Sequence, residues 1–396
     1  MPTSARAYRL TSLDLVRGLV IVIMALDHVR DYFHAGAAQD PMADPNIGLA
    51  LFFTRWVTHF CAPVFVFLAG TSAGLMGARK SPAVVGGFLL KRGLWLVAIE
   101  WFVIATAFSF APWGIAELQG LVFTPMQVLG AIGFSMVVLS GAQFLGRRVC
   151  LVLGVAILAG HNLLDPVWPR PDLFDTTQPL WIALHSQMSA VVGPFIVIFA
   201  YPLLPWVGVM LLGFGCADLF DREPGGRTRL LLRWGALLIV AFVAVRASHL
   251  YGDPNPWVQQ DRGTVATLLD FLNVTKYPPS LLFVMMTLGP SAILCAFADR
   301  MPRGISNVLV AYGRAPFAFY VAHFYVIHTL SIALGVAQGF APRQLMTAML
   351  FYPKGFGLSL PLVYLVWIGI VAALYPLVRW VGELKARRTD WWLSYL

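Results

Sequence analysis

Apolar residues along this chain gather into runs long enough to cross the hydrocarbon core of a bilayer, and polar residues fall between the runs. Ten runs predict transmembrane helices, over residues 12–33, 49–77, 93–111, 123–145, 149–164, 190–219, 228–249, 278–298, 312–335 and 358–382. Each is near or above the length that a rise of about 1.5 Å per residue needs to span about 30 Å. Several contain Gly or Pro, which membrane helices tolerate. The run 190–219 holds Pro194, Pro202 and Pro205 and reads as one helix or two. Without a short-period repeat or a low-complexity tail, residues 1–396 are expected to form a single all-α, polytopic membrane domain.

Lys and Arg occupy alternate connections. Arg6 and Arg9 precede the first run, and Arg79, Lys80, Lys91 and Arg92 flank the second connection. Arg147 and Arg148 lie in the fourth, Arg222, Arg227, Arg229 and Arg233 around the sixth, and Arg300 and Arg303 in the eighth. Lys385, Arg387 and Arg388 follow the last run. The positive-inside rule makes this side cytoplasmic and puts both termini there. The rival reading of the first run as a cleaved signal meets Asp14 and Arg17 before its apolar stretch Gly18–Leu26 and Asp27, His28, Arg30 and Asp31 after that stretch.

Composition sharpens the picture. Of 396 residues, 59% are hydrophobic and 12% charged, against about 25% charged in ordinary soluble domains. The net charge of +9 is spent on orienting helices, and no interleaved basic and aromatic stretch points to nucleic acid. Four cysteines, Cys61, Cys150, Cys216 and Cys295, lie in or beside apolar runs with no CxxC pair and read as core residues.

An ionisable side chain in hydrocarbon costs about 2.5–3.5 kcal/mol and persists where a cavity or partner receives it. The first run is richest: Asp14 and Arg17 at one end, then Asp27, His28, Arg30 and His34 at the other. Asp14 and Arg17 read as a donor-binding pair or as a cap and a snorkelling anchor. Arg17 and His28 are eleven residues apart, so they share a helix face about 16 Å apart along the axis. The ninth run repeats the design with Arg314, His323 and His328. His59 and Glu100 are lone intramembrane groups, each a pocket residue or a buried hydrogen-bonded one. Asn273 and Lys276 lie in the outer connection 270–279, at the mouth of a site or in an interfacial loop. In this topology seven of the eight histidines fall in the outer half of the membrane or beyond it, and His323 near mid-depth. Histidine is the side chain suited to proton transfer near neutral pH. No HxxxH or HExxH spacing suggests a metal.

Several stretches together resemble the transmembrane acyltransferase superfamily, and most nearly the bacterial relatives of heparan-α-glucosaminide N-acetyltransferase. They are Arg9-Leu-Thr-Ser-Leu-Asp14-Leu-Val-Arg17-Gly18 with the later Asp27-His28, His59-Phe-Cys-Ala-Pro63 through Gly70, and Tyr201-Pro-Leu-Leu-Pro205. Asn273-Val-Thr-Lys-Tyr-Pro-Pro279, Gly313-Arg314-Ala-Pro316-Phe and Asp390-Trp-Trp-Leu-Ser-Tyr-Leu complete the set. The resemblance implies a multi-pass enzyme of the bacterial inner membrane. Acetyl-CoA would enter from the cytoplasm, and the acetyl group would reach an amine or hydroxyl acceptor, a sugar, on the other side. It implies a catalytic histidine near the outer end of the first helix, at His28 or His34, with Asp27 and His59 beside it. Asp14, Arg17, Arg92 and Arg314 would receive acyl-CoA, and His323, His328, Glu100, Asn273 and Lys276 would line the acceptor pocket. Besides acyl-CoA and acceptor, the partners expected are membrane lipids, with a homodimer left open. The alternative from the same residues is a proton-coupled secondary transporter or exporter of a small polar solute.

Overall fold

The computed structural model describes the chain except residues 1, 2, 37–41, 43, 45, 167–178, 389 and 396. The first helix, α1 (Thr3–Phe33), continues through its charged residues without a break. After it come α2 (Leu49–Thr58) and α3 (Cys61–Gly77), a bent pair forming one span, and α4 (Pro82–Ile99). A π-helical turn, Glu100–Ile104, carries α4 into the short α5 (Ala105–Ser109). Strand β1 (Val122–Met126) leads into α6 (Val128–Ala142), which is followed by α7 (Arg147–Gly160) and α8 (Pro179–Leu184). Strands β2 (Ser189–Val192) and β3 (Phe195–Phe199) precede α9 (Leu203–Gly215). The rest is helical: α10 (Pro224–Ser248), α11 (Thr264–Leu272), α12 (Leu281–Phe297), α13 (Arg303–Arg314), α14 (Pro316–Ala337) and α15 (Leu360–Arg387).

All ten predicted runs have a counterpart. Among the described residues, eight helical stretches are long and apolar enough to cross a bilayer. The other two runs are α1, whose charges dilute its hydropathy, and the α4–α5 segment, which the π turn interrupts. Two runs are only partly helical. The first residues of 123–145 form β1, and the first ten of 190–219 form β2 and β3, so that run is neither one helix nor two. The strands make a three-stranded sheet in the order β1–β3–β2, with β1 parallel and β2 antiparallel to β3. Val-Phe-Thr-Pro-Met and Phe-Ile-Val-Ile-Phe are short β-branched and aromatic runs, which hydropathy alone does not separate from helix. Pro125 and Pro194 also remove the N–H groups a helix there would need. Pairing within the sheet satisfies backbone groups that lipid would leave bare. The ninth run, too, is divided: Pro316 starts α14, and Ala315 separates it from α13.

Helix α1 sits at the centre, against α2, α3, α12, α13, α14 and α15. Its closest neighbour is α13. A Cβ added to Gly18 would overlap the carbonyl of Leu309, and one on Gly313 would overlap that of Asp14, so only glycine permits this approach. Helices α7, α10 and α15 keep most of their surface outward, toward lipid.

Contacts sort the connections by end. Arg17 with Ser72 and Gly313, Arg147 with Gly74 and Asp218, and Lys385 with Arg314 gather at one end. Ala35 with Leu358, Tyr251 with Ala159, and Asn162 with Leu281 gather at the other. The basic connections read from the sequence share the first end.

Gly313→Ala is expected to force α13 off α1 at a cost of about 1–3 kcal/mol, read as a lower thermal midpoint in detergent. Gly87→Ala, whose added methyl meets nothing within 4 Å, should leave the midpoint unchanged or raise it.

Candidate active site

Helix α1 delivers two groups of polar side chains, one at each end. In its C-terminal half, Nδ1 of His28 lies 2.7 Å from Nε2 of His323 on α14. His323 turns its own Nδ1 toward two backbone carbonyls, Tyr320 at 2.6 Å and Phe319 at 3.1 Å. A carbonyl only accepts, so Nδ1 of His323 carries the proton and its Nε2, with the ring neutral, must accept. Nδ1 of His28 therefore donates, and Nε2 of His28 is left as a lone pair. Phe319 stacks on His323 at 5.2 Å, and Phe324 lies 4.3 Å from the His28 ring. His323 is fully buried, whereas His28 keeps accessible surface.

Next to His28 lies a buried charge network. Asp27 accepts from Arg55 on α2 at 2.6 Å and pairs with Arg30 at 3.1 Å; Arg30 also binds Asp31. Lys276 is buried over the ring of Tyr277, its amine 5.0 Å from the centroid. Tyr277 meets Tyr201 at 5.3 Å. His59 is buried against Phe283 and lies within electrostatic reach of Lys276, Arg55 and Asp27. Four stretches far apart in sequence, around Asp27, His59, Tyr201 and Lys276, thus converge on one place.

At the other end Arg17 donates to Asp14 at 2.8 Å, to the Gly313 carbonyl and to Ser72. Arg314 shares Asp14 at 3.9 Å, and Lys385 donates to the Arg314 carbonyl. A cavity of about 130 Å³ runs from Arg17 and Arg92 past Ile21 and Phe65 to Met24 and Tyr320. Met24 is one turn before His28, so the cavity closes just below the histidine pair. The Tyr320 hydroxyl is buried and has no hydrogen-bond partner among the described residues.

The remaining candidates lie elsewhere or serve other partners. His34 lies just past the end of α1, six residues beyond His28 and about 9 Å further along the axis. Its backbone bridges Leu358 and its Nδ1 accepts the Gly36 N–H at 3.2 Å. Burial, and then the Arg30 charge, hold its imidazole below the usual range. Both nitrogens of His328 are taken by carbonyls, Ala107 and Leu345, each at 2.8 Å. Glu100 accepts from the Gly130 N–H at 2.8 Å and caps the buried start of α6. Asn273 donates to the Met42 carbonyl and receives Arg246 on its own. Arg55 and Tyr320 were absent from the sequence-derived site. Arg55 carries the signal that singled out Arg17, a charge inside an apolar run, whereas Tyr320 stood in an aromatic-rich helix with nothing to mark it. Among the described residues, no three His, Cys, Asp or Glu side chains are grouped to hold a metal ion.

The family model described as heparan-alpha-glucosaminide N-acetyltransferase, catalytic, matches residues 9–250. The chain belongs to this family. No curated protein matches the sequence. Family membership and the apolar helices make the chain a multi-pass transmembrane acetyltransferase of the heparan-alpha-glucosaminide N-acetyltransferase kind. The matched segment ends with α10, yet Lys276, Arg314, Tyr320 and His323 come from beyond it and complete both ends of the site.

Asp27→Leu or Arg55→Met alone removes one half of a buried ion pair and should cost about 3–5 kcal/mol, read as loss of monodisperse protein on size exclusion or a much lower thermal midpoint. The double variant should regain much of that loss; equal defects in single and double variants would show that the pair is not coupled.

Proposed function

We propose that the chain moves an acetyl, or another short acyl, group from cytoplasmic acyl-CoA to an amine or hydroxyl, on a sugar, offered at the opposite face of the membrane. The observation that carries this reading is the cavity that leads from the Arg17 and Arg92 end to the foot of the His28–His323 pair. Guanidinium groups suit phosphates, so Arg17, Arg92 and Arg314 take the CoA phosphates, with Asp14 orienting the two arginines it pairs with. The acyl thioester then lies toward Tyr320 and His28. The acceptor comes from the outer end, beside His59 and Lys276.

In the reaction, Nε2 of His28 takes the proton from the acceptor N–H or O–H as the acceptor atom bonds to the thioester carbon. The carbonyl oxygen becomes an oxyanion and accepts the Tyr320 O–H. The C–S bond breaks, the carbonyl re-forms, and His28 returns the proton to the CoA sulfur. His323, itself pinned by two carbonyls, holds His28 in the tautomer that leaves Nε2 basic. Direct transfer fits better than an acyl-histidine, which would occupy the nitrogen that the acceptor's proton requires. Family membership favours transfer over the proton-coupled transport reading.

Incubation of purified protein with acetyl-labelled CoA and a panel of amines and sugars tests the reading. His28→Ala should lower kcat/KM by about 10²–10⁴-fold, and His34→Ala by less than tenfold. Tyr320→Phe should lower kcat by about 10²–10³-fold with KM held. Absence of CoA binding, and of label transfer or CoA release with every acceptor, would contradict it.

A further inference from the structure

A second cleft opens beside the cationic end of the cavity. It has a volume of about 440 Å³ and is lined by Lys91, Trp95, Trp391, Trp392 and Tyr395. The last three belong to a short 3₁₀ turn, Trp391–Tyr395, that follows α15. Tyr395 returns to α4, its ring 5.6 Å from Trp95 and 6.0 Å from the Arg92 guanidinium. Trp95 packs in turn on Phe317 at 4.8 Å. Arg92 and Leu96 of α4 line the inner cavity, and Lys91 and Trp95 of the same helix line the cleft, so α4 is a wall of both.

We propose that this cleft binds the adenine nucleotide end of acyl-CoA, an assignment that rests on the acyl-CoA reading above. The chemistry matches at each point. A flat, neutral purine stacks on aromatic faces, and three tryptophans and a tyrosine surround the space. The nucleotide's phosphates need cations at the rim, and Lys91 and Arg92 supply them, with Arg17 further in. The volume lies within the range of small-molecule sites. Tryptophan at a membrane interface often serves only as an anchor, but anchors need no shared cleft, no flanking lysine and no wall in common with a polar-ended cavity. The cleft also resolves a size problem: the inner cavity alone is far too small for a nucleotide, whereas it suits the thioester arm. Base and phosphates outside, acyl arm inside, is the division the two spaces make together.

Trp391 and Trp392 are 78% and 40% exposed, so replacing them disturbs little packing. The test compares acetyl-CoA with acetyl-pantetheine, a donor lacking the nucleotide, in wild type, Trp392→Ala, Trp391→Ala/Trp392→Ala and Lys91→Gln. Equilibrium binding of labelled CoA is measured on the same preparations, with adenosine 3′,5′-bisphosphate as competitor. The ratio of kcat/KM for acetyl-CoA to that for acetyl-pantetheine should fall about ten- to hundredfold in the tryptophan variants, and CoA affinity should fall in step. A ratio and a CoA affinity that both stay at wild-type values would overturn the assignment while leaving the transferase reading intact, and would make the cleft an interfacial anchor or a lipid-headgroup site. Wild-type protein that binds no CoA at all would overturn the transferase reading and this assignment with it.

Discussion

A helix carrying Asp14, Arg17, Asp27, His28, Arg30 and Asp31 cannot lie against lipid, and most of the architecture answers that constraint. Each charge needs a partner or a polar cavity, because its alternative is hydrocarbon. Helix α1 therefore sits in the middle of the bundle, with α2 bringing Arg55 to Asp27 and α13 pressing its glycine against the turn of Asp14. The contacts that neutralise α1 are the ones that assemble the site. A bundle built of aliphatic helices would have no reason to place Arg55, Lys276 and His323 around a single helix.

The two ends of α1 solve different electrostatic problems. In the C-terminal half of α1, Asp27 and Asp31 balance Arg30 and Arg55 in buried pairs, and next to them lies the His28–His323 pair. At the other end Arg17 and Arg314 share one carboxylate, with Arg92 and Lys385 close by. That end is left with excess positive charge, the condition that attracts polyanions. As the partner of His28, a histidine differs from a carboxylate in the charge it adds. An Asp at position 323 would stabilise the imidazolium but would add another charge to a dry, crowded region, whereas backbone carbonyls fix the His323 tautomer at no charge cost.

Much of this was legible in the sequence, for reasons that differ by feature. The ten runs were readable because the bilayer imposes one length and one polarity on every span. The family resemblance rested on stretches that the fold does bring together, and the Asp27-His28 and Lys276-Tyr277 segments meet at one place. Strands β1, β2 and β3 were not legible, because four or five mostly apolar residues carry the same hydropathy in a strand as in a turn of helix. Nor was the pairing of His28 with His323: nothing in one sequence links positions 295 residues apart. That His28 rather than His34 meets α14 is a matter of packing rather than pattern. His328 looked equivalent to His323 and is not, since carbonyls face both of its ring nitrogens, whereas Nε2 of His323 faces His28.

The central claim is that one active site joins a donor on one side of the membrane to an acceptor on the other. Sidedness of transfer in proteoliposomes of uniform orientation tests it most directly. Acetyl-labelled CoA is supplied only to the face carrying Arg17 and Arg314, and a membrane-impermeant amino sugar is sealed on the opposite face. The account predicts label on the trans-compartment acceptor, with free CoA remaining on the donor side. Label found only on acceptor placed in the same compartment as the donor would contradict it.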